Sequence, residues 1–443
     1  MVAQVAVTTD HDVAIGSRAQ AKVGEKIVMT VRTYNALNDA AVPFTNFTIT
    51  KGMGYNRPGQ VTGFDDPTSG AIEMNGTFYG TSQPTTVYSG TTDARGIATV
   101  DIEQPQGVGL GTPLDITPTN SYVPNTVNYN VIFTTPTSPD VASAQMWGHM
   151  DESITVDSIT FKRPKLFSEV SAGNRSLVEN NETWVRVAQS DIENIAAGGC
   201  EKNKVPRQLQ LTALYNANSN NTIQTVHGWP TLREQYWSGT PMDKVPHLAS
   251  VWLNNGNVQN AADDSIYMSC LKDANPPASI ITLEVVDQAQ WNSSLNAAKL
   301  KKGETLQVKV TVKDVAGNPM ADMPFTLKRG DGYTRSGERH TAGSGDGIVS
   351  SVVVDAGLPD EMVLNDTATA YVALTGSDGS KILNITRPDT HGTKTALTAA
   401  LYSDPTKKAA MDTIFTVVTS PDTDKANMWG HMPETLSAGG LTF

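Results

Sequence analysis

Cysteine is nearly missing: the 443 residues include two, Cys200 and Cys270. That rules out a disulfide-dense scaffold. Neither sits in a Cys-x-x-Cys pair, which argues against zinc and dithiol redox chemistry. The two form either one disulfide or a pair of reduced core thiols. The turn-rich sequence favours the disulfide, and with it an oxidising compartment. Basic charge is also scarce, since 33 Lys+Arg against 45 Asp+Glu leave a net charge of −12. No basic stripe interrupts that balance, so nucleic acid and anionic membrane are not expected partners. There is no apolar run of about eighteen residues, so no transmembrane helix is expected. The opening MVAQVAVTTD has no basic segment leading into an apolar one. No signal peptide is expected there, and Met1 reads as the start of an excised or mature piece. Gly-x-Ser-x-Gly, His-Glu-x-x-His and P-loop motifs are absent, and the seven histidines keep no recognisable company with a nucleophile. Enzyme, cofactor and metal site are therefore not expected.

What the chain does have is Gly, Pro, Ser, Thr and Asn in quantity, with charged residues at only 18%. That favours short strands and many turns. It also has a repeat. Thr137-Ser138-Pro139-Asp140 and Ala144-Gln145-Met146-Trp147-Gly148-His149-Met150 return as Thr419-Ser420-Pro421-Asp422 and Ala426-Asn427-Met428-Trp429-Gly430-His431-Met432, both 282 positions on. Upstream, Pro43-Phe44-Thr45 matches Pro324-Phe325-Thr326, and Gly54-Tyr55 matches Gly332-Tyr333. Such self-similarity marks one module used twice. Period-two runs such as Lys26–Tyr34 and Gln307–Lys313 read as half-buried strands. With Gly96–Ile102, Asn128–Phe133, Gly347–Val354 and Thr413–Val418 they predict an immunoglobulin-like sandwich of about seven strands per copy. Phe64 to Thr92 reads as an insertion between central strands. Thr442-Phe443 repeat Thr160-Phe161 at the same offset. The expected domains are therefore 1–150, 151–278 and 279–432, with 433–443 opening a further, truncated adhesion domain of a longer alternating array.

The middle segment holds both cysteines and Trp184, Trp229, Trp237 and Trp252. Pro206 followed by Leu209, Leu211, Leu214 and Tyr215 predicts a helix. Val251-Trp252-Leu253-Asn254-Asn255-Gly256-Asn257-Val258 predicts a hairpin, and Ile266–Leu271 a last strand carrying Cys270. This order, with Tyr236-Trp237-Ser238-Gly239-Thr240-Pro241 between helix and hairpin, is similar to a C-type-lectin-like domain. Coupled to repeats ending in Met-Trp-Gly-His-Met, the whole chain resembles the intimin/invasin class of enterobacterial adhesins, specifically the invasin-E-type adhesion module. The resemblance implies a mainly β chain, with two immunoglobulin-like sandwiches flanking one α+β C-type-lectin-like domain. It also implies an outer-membrane barrel anchoring the parent at the bacterial surface, and lectin-like domains that contact the host.

The Glu-Pro-Asn or Gln-Pro-Asp and Trp-Asn-Asp triplets of calcium-dependent lectins are missing, and Asp263-Asp264 reads as a solvated turn. A host cell-surface protein or a calcium-independent glycan is the expected partner, bound by a monomeric chain. Asn216 to Leu248 is the expected contact surface, with Trp229, Arg233, Glu234, Tyr236, Asp243, Lys244 and His247 as candidates. Trp237 and Trp252 read as core. Trp229 and Tyr236 divide evenly between core and contact, and Arg233, Asp243 and Lys244 also read, somewhat more readily, as ordinary solvated loop charges. Trp147, His149, Trp429 and His431 read as a structural junction motif. The competing function is a spacer or biofilm protein with no host ligand.

Overall fold

The computed structural model describes residues 3–13, 17–61, 71–79, 86–119, 125–172, 175–241, 247–261, 264–340, 352–355, 362–364, 370–387, 391–438 and 440–442. The fold divides into two compact units, Met1–Pro206 with Gln210–Ser238 and Ser250–Ala274, and Arg207–Leu209 with Gly239–Ala249 and Asn275–Phe443.

The first unit opens with a two-sheet sandwich. Its described strands are β1 (Ala3–Thr9), β2 (Arg18–Lys22), β3 (Lys26–Asn35), β4 (Asn46–Lys51), β5 (Ile72–Met74), β6 (Thr77–Tyr79), β7 (Val87–Thr91), β8 (Ile97–Glu103), β9 (Gly111–Pro118) and β10 (Val127–Thr134). They form sheets of order β1-β3-β8-β5-β6 and β2-β10-β9-β4-β7, with β2 parallel to β10. Alternation does the work: Ile27, Met29 and Val31 of β3 point inward to Ile49, Val100, Ile116, Val131 and Phe133, and the intervening residues meet solvent. The expected seven strands are ten among the described residues. The extra ones come largely from 64–92, where β5, β6 and β7 lie in what the Gly/Ser/Thr content disguised as a plain insertion.

The second sandwich repeats the plan. Leu306–Asp314 lies between Ala278–Val285 and Ser380–Thr386, and Ala297–Lys301 runs parallel to Lys408–Pro421. Val308, Val310, Phe325, Leu327, Leu383 and Phe415 fill its core. Of Gly347–Val354, only Val352–Val354 falls within the described residues, and it is a strand.

In the sequence that joins the two sandwiches, β11 (Ser153–Val156) and β12 (Ile159–Lys162) pair, as do β13 (Ser176–Glu179) and β14 (Glu182–Val185). The helix Gln208–Ala217 forms where the leucines placed it, with Leu211 and Leu214 buried and Leu209 exposed. The hairpin forms around a turn wider than Asn-Gly alone: Trp252 N–H donates to Asn257 O (2.9 Å) and Gly256 takes φ +77°. The expected strand 266–271 is shorter. Only Ser265–Ile266 joins a ladder, and Cys270 lies beyond it, bonded to Cys200. Trp184, Trp229, Tyr236, Tyr267 and Phe161 pack with Leu211 and Leu214 into one core.

Candidate interaction site

The hairpin of β13 and β14 turns through Asn180 and Asn181, both at positive φ (54° and 63°), as a two-residue turn requires. It sets Glu179 opposite Glu182, and both carboxylates are buried, 4% and 1% exposed. Burial of carboxylates without partners is prohibitive, and each has found a separate set of donors.

Glu179 faces the segment after Gly228. Its Oε1 accepts Thr231 N–H (2.9 Å) and Leu232 N–H (3.0 Å), its Oε2 Arg233 N–H (3.2 Å) and Tyr267 Oη–H (2.9 Å). Three consecutive N–H groups on one carboxylate fix the backbone of residues 231–233. The side chains of Leu232, 54% exposed, and Arg233 stand outward from it. Glu234 is half-buried and pairs with Arg186 at 2.8 Å; burial pushes its carboxyl above the ordinary range.

Glu182 faces the other way. Its carboxylate accepts Gln145 N–H and Met146 N–H, both at 2.9 Å, and the Ser138 hydroxyl. Burial raises its carboxyl, although these donors and Arg163 pull against it. The junction segment it holds is built on close approaches. A Cβ on Gly148 would stand 1.8 Å from Ser138 O, so only glycine fits. Arg57 lies 5.0 Å over the Trp147 ring and pairs with Asp140 at 2.6 Å. Met150 enters the middle core at 4% exposure. His149 Nδ1 sits 2.8 Å from Thr134 Oγ1. Burial, with help from Lys22, lowers the His149 pKa below 6.5. The unfolded chain therefore takes up this proton first, and stability is lost as pH falls below about 6.5 until folded His149 protonates. His149→Gln is expected to flatten that decline in thermal melts between pH 7 and 5; an unchanged decline would assign it elsewhere.

The second copy repeats the frame: Arg335 over Trp429 at 4.7 Å, Arg335 to Asp422 at 2.7 Å, His431 Nδ1 to Thr416 at 2.8 Å.

Of the expected contacts, two are corrected. Trp229 and Tyr236 are fully buried, Nε1–H of the one donating to Asp151 O (2.7 Å) and Oη–H of the other to Pro230 O (2.5 Å). A side chain with no exposed surface offers none to a partner. Trp237 is buried and Trp252 half-buried. His247 is half-buried just before Leu248–Val251; Asp243, Lys244 and Asp263 lie outside the described residues. Glu179, Glu182 and Leu232 were missed. The one signal was Asn-Asn between two glutamates, which reads as an exposed hairpin tip.

A second feature is a cleft of about 250 Å³ beside the disulfide, lined by Lys162, Lys165, Glu169, Met268 and Cys270. At its wall Arg163, 6% exposed, pairs with Glu152 (2.9 Å) and Glu169 (2.7 Å). Among the described residues no cluster of three His, Cys, Asp or Glu could hold a metal ion, and no helix is long and apolar enough to cross a membrane.

The InvE adhesion-domain family matches residues 139–271, and the bacterial immunoglobulin-like 21 family matches 24–136 and 303–418. Among solved structures, the Yersinia pseudotuberculosis adhesin InvE is 30% identical over 60% of this chain and 70% of its own, with a TM-score of 0.50. The D0–D1 domain of intimin is 10% identical, over 94% of this chain and 100% of its own, with a TM-score of 0.18. No curated protein matches the chain. The immunoglobulin-like matches span more than half of the chain, the adhesion-domain match lies between them in sequence, and the chain belongs to the invasin/intimin-type adhesins of the bacterial surface.

Proposed function

We propose that residues 151–278 are the recognition head of this adhesin, C-type-lectin-like in fold, and that they attach the bacterium to a host cell-surface protein or glycan. The two sandwiches serve as stalk, in a parent chain held in the outer membrane by a barrel. The observation that carries the reading is the 231–233 segment. Glu179 holds its backbone rigid while exposed Leu232 and Arg233 offer an apolar group beside a guanidinium. An Arg on a preorganised backbone is an effective interface anchor, because less motion is lost on binding, and Leu232 adds apolar area beside it. The Cys200–Cys270 closure, the helix before the hairpin and the small sheet of Tyr236–Pro241, Leu248–Val251 and Val258–Asn260 support the lectin-like reading.

The test uses the full chain immobilised on beads and cultured epithelial cells. The double variant Leu232→Ala, Arg233→Ala is expected to lower cell attachment by about tenfold or more, as the loss of an interface anchor does, with no change in Tm. Attachment equal to that of the parent chain sinks the assignment of this loop. Clumping of bacteria displaying the chain, without attachment to host cells, would favour the spacer or biofilm reading. A glycan array separates a sugar from a protein ligand.

A further inference from the structure

The socket that Glu182 fills on the first junction is present again on the second, where none of the described residues is seen to fill it. Ser420 Oγ lies 3.0 Å from Met428 O, as Ser138 Oγ lies 3.1 Å from Met146 O. A Cβ on Gly430 would meet Ser420 O at 1.9 Å, matching the 1.8 Å of Gly148. Arg335 N–H donates to Asn427 O (2.9 Å) as Arg57 N–H does to Gln145 O (3.1 Å). The three distances agree between the two copies to within 0.2 Å. Coverage differs. Asn427 is exposed, and Met432 is 41% exposed where Met150 is 4%. Among the described residues, no acceptor is recorded for the N–H groups of Asn427 and Met428, the counterparts of the two that Glu182 receives.

We infer that Ser420, the N–H groups of Asn427 and Met428, and the Met432 side chain form a docking socket for a second copy of the residue 151–274 domain. The carboxylate of that domain's Glu182 counterpart would seat it. The chemistry fits an anion, since two adjacent N–H groups and a hydroxyl converge where the first copy holds one carboxylate oxygen. The apolar half fits too, because Met432 stands where Met150 enters the core of such a domain. Continuity supplies the third argument. Ser437 pairs with Thr442 and Ala438 with Leu441, as Thr155 pairs with Thr160 and Val156 with Ile159. The hydroxyls of each outer pair lie 3.1 Å and 2.9 Å apart. The opening hairpin of the docking domain is thus already repeated beyond the socket.

Two experiments test this. In the first, residues 137–150 of the full chain are replaced by the sequence of 419–432, and amide hydrogen exchange is followed at positions 145 and 146. The swapped segment is expected to keep protection within about tenfold of the parent, and Glu182→Gln is expected to reduce it in both chains alike. Rapid exchange at those amides, or a swapped chain that no longer folds, overturns the inference, since the second segment then cannot receive the domain. In the second, the chain is continued after Thr442 with residues 161–274, and Met432 oxidation by dilute peroxide is measured. Protection of about tenfold or more, abolished by Glu→Gln in the added copy, supports the socket. Oxidation at the rate of the 443-residue chain overturns it.

Discussion

Glu179→Ala is expected to lower the stability of the adhesion domain by about 3–5 kcal/mol, the range for breaking a buried charged network from one side. The carboxylate is 4% exposed and receives three backbone N–H groups and the Tyr267 hydroxyl. Alanine leaves these donors, and the Gln224 amide 3.4 Å from the same carboxylate, facing a cavity, and water can satisfy only those it reaches. Glu179→Gln should fall between, because its carbonyl oxygen still accepts while its NH₂ confronts N–H groups. Urea unfolding followed by the fluorescence of Trp184, Trp229 and Trp237 reads this directly. A loss below about 1 kcal/mol, the worth of one ordinary hydrogen bond, would remove Glu179 from its assigned role. Because the same carboxylate holds the Leu232 and Arg233 backbone, host-cell attachment is expected to fall in this variant even below its melting temperature.

Opening the Cys200–Cys270 bridge is expected to cost about 4 kcal/mol, from the loop entropy that a closure of this length withholds from the unfolded chain; the sequence separation is 70. The paired substitution Cys200→Ala, Cys270→Ala should match the effect of reductant, and neither should move the transition of the second sandwich, which contains no cysteine. Calorimetry of the oxidised and reduced chain checks both statements. Equal melting of the two would mean that the unfolded domain is already constrained by residual structure.

The repeat was the most legible part of the sequence, because Trp-Gly-His-Met is set by contacts that admit few substitutes: a glycine against a carbonyl, a tryptophan beneath an arginine. Strand alternation was legible for the same reason in Lys26–Asn35 and Leu306–Asp314, where one face is core and the other solvent. The site was less so. Trp229 and Tyr236, set among Gly, Pro and charged residues, look like contact aromatics. They are core because each polar atom meets a backbone carbonyl, which removes the penalty of burying it. Glu179 and Glu182 look like the solvated flanks of a turn. Their donors come from 36 to 88 positions away in the chain, and local pattern carries no trace of such partners. The strands within 64–92 are three to five residues long and set in a Gly/Ser/Thr-rich stretch, too short for periodicity to rise above composition.

The disulfide has a mechanical consequence as well. An adhesin held at a surface and at its ligand is pulled, and a covalent bridge decides which residues can pay out. With a separation of 70 and roughly 3.3–3.6 Å of reach per residue, the closure keeps roughly 230–250 Å of contour from being drawn out under load. When the pull is applied at the two ends of the chain, tension that reaches Cys200 passes through the sulfurs to Cys270, and the stretch between them stays slack. The length of the unfolding step in a force–extension trace, short when oxidised and longer by that amount when reduced, measures how much chain the bridge shelters.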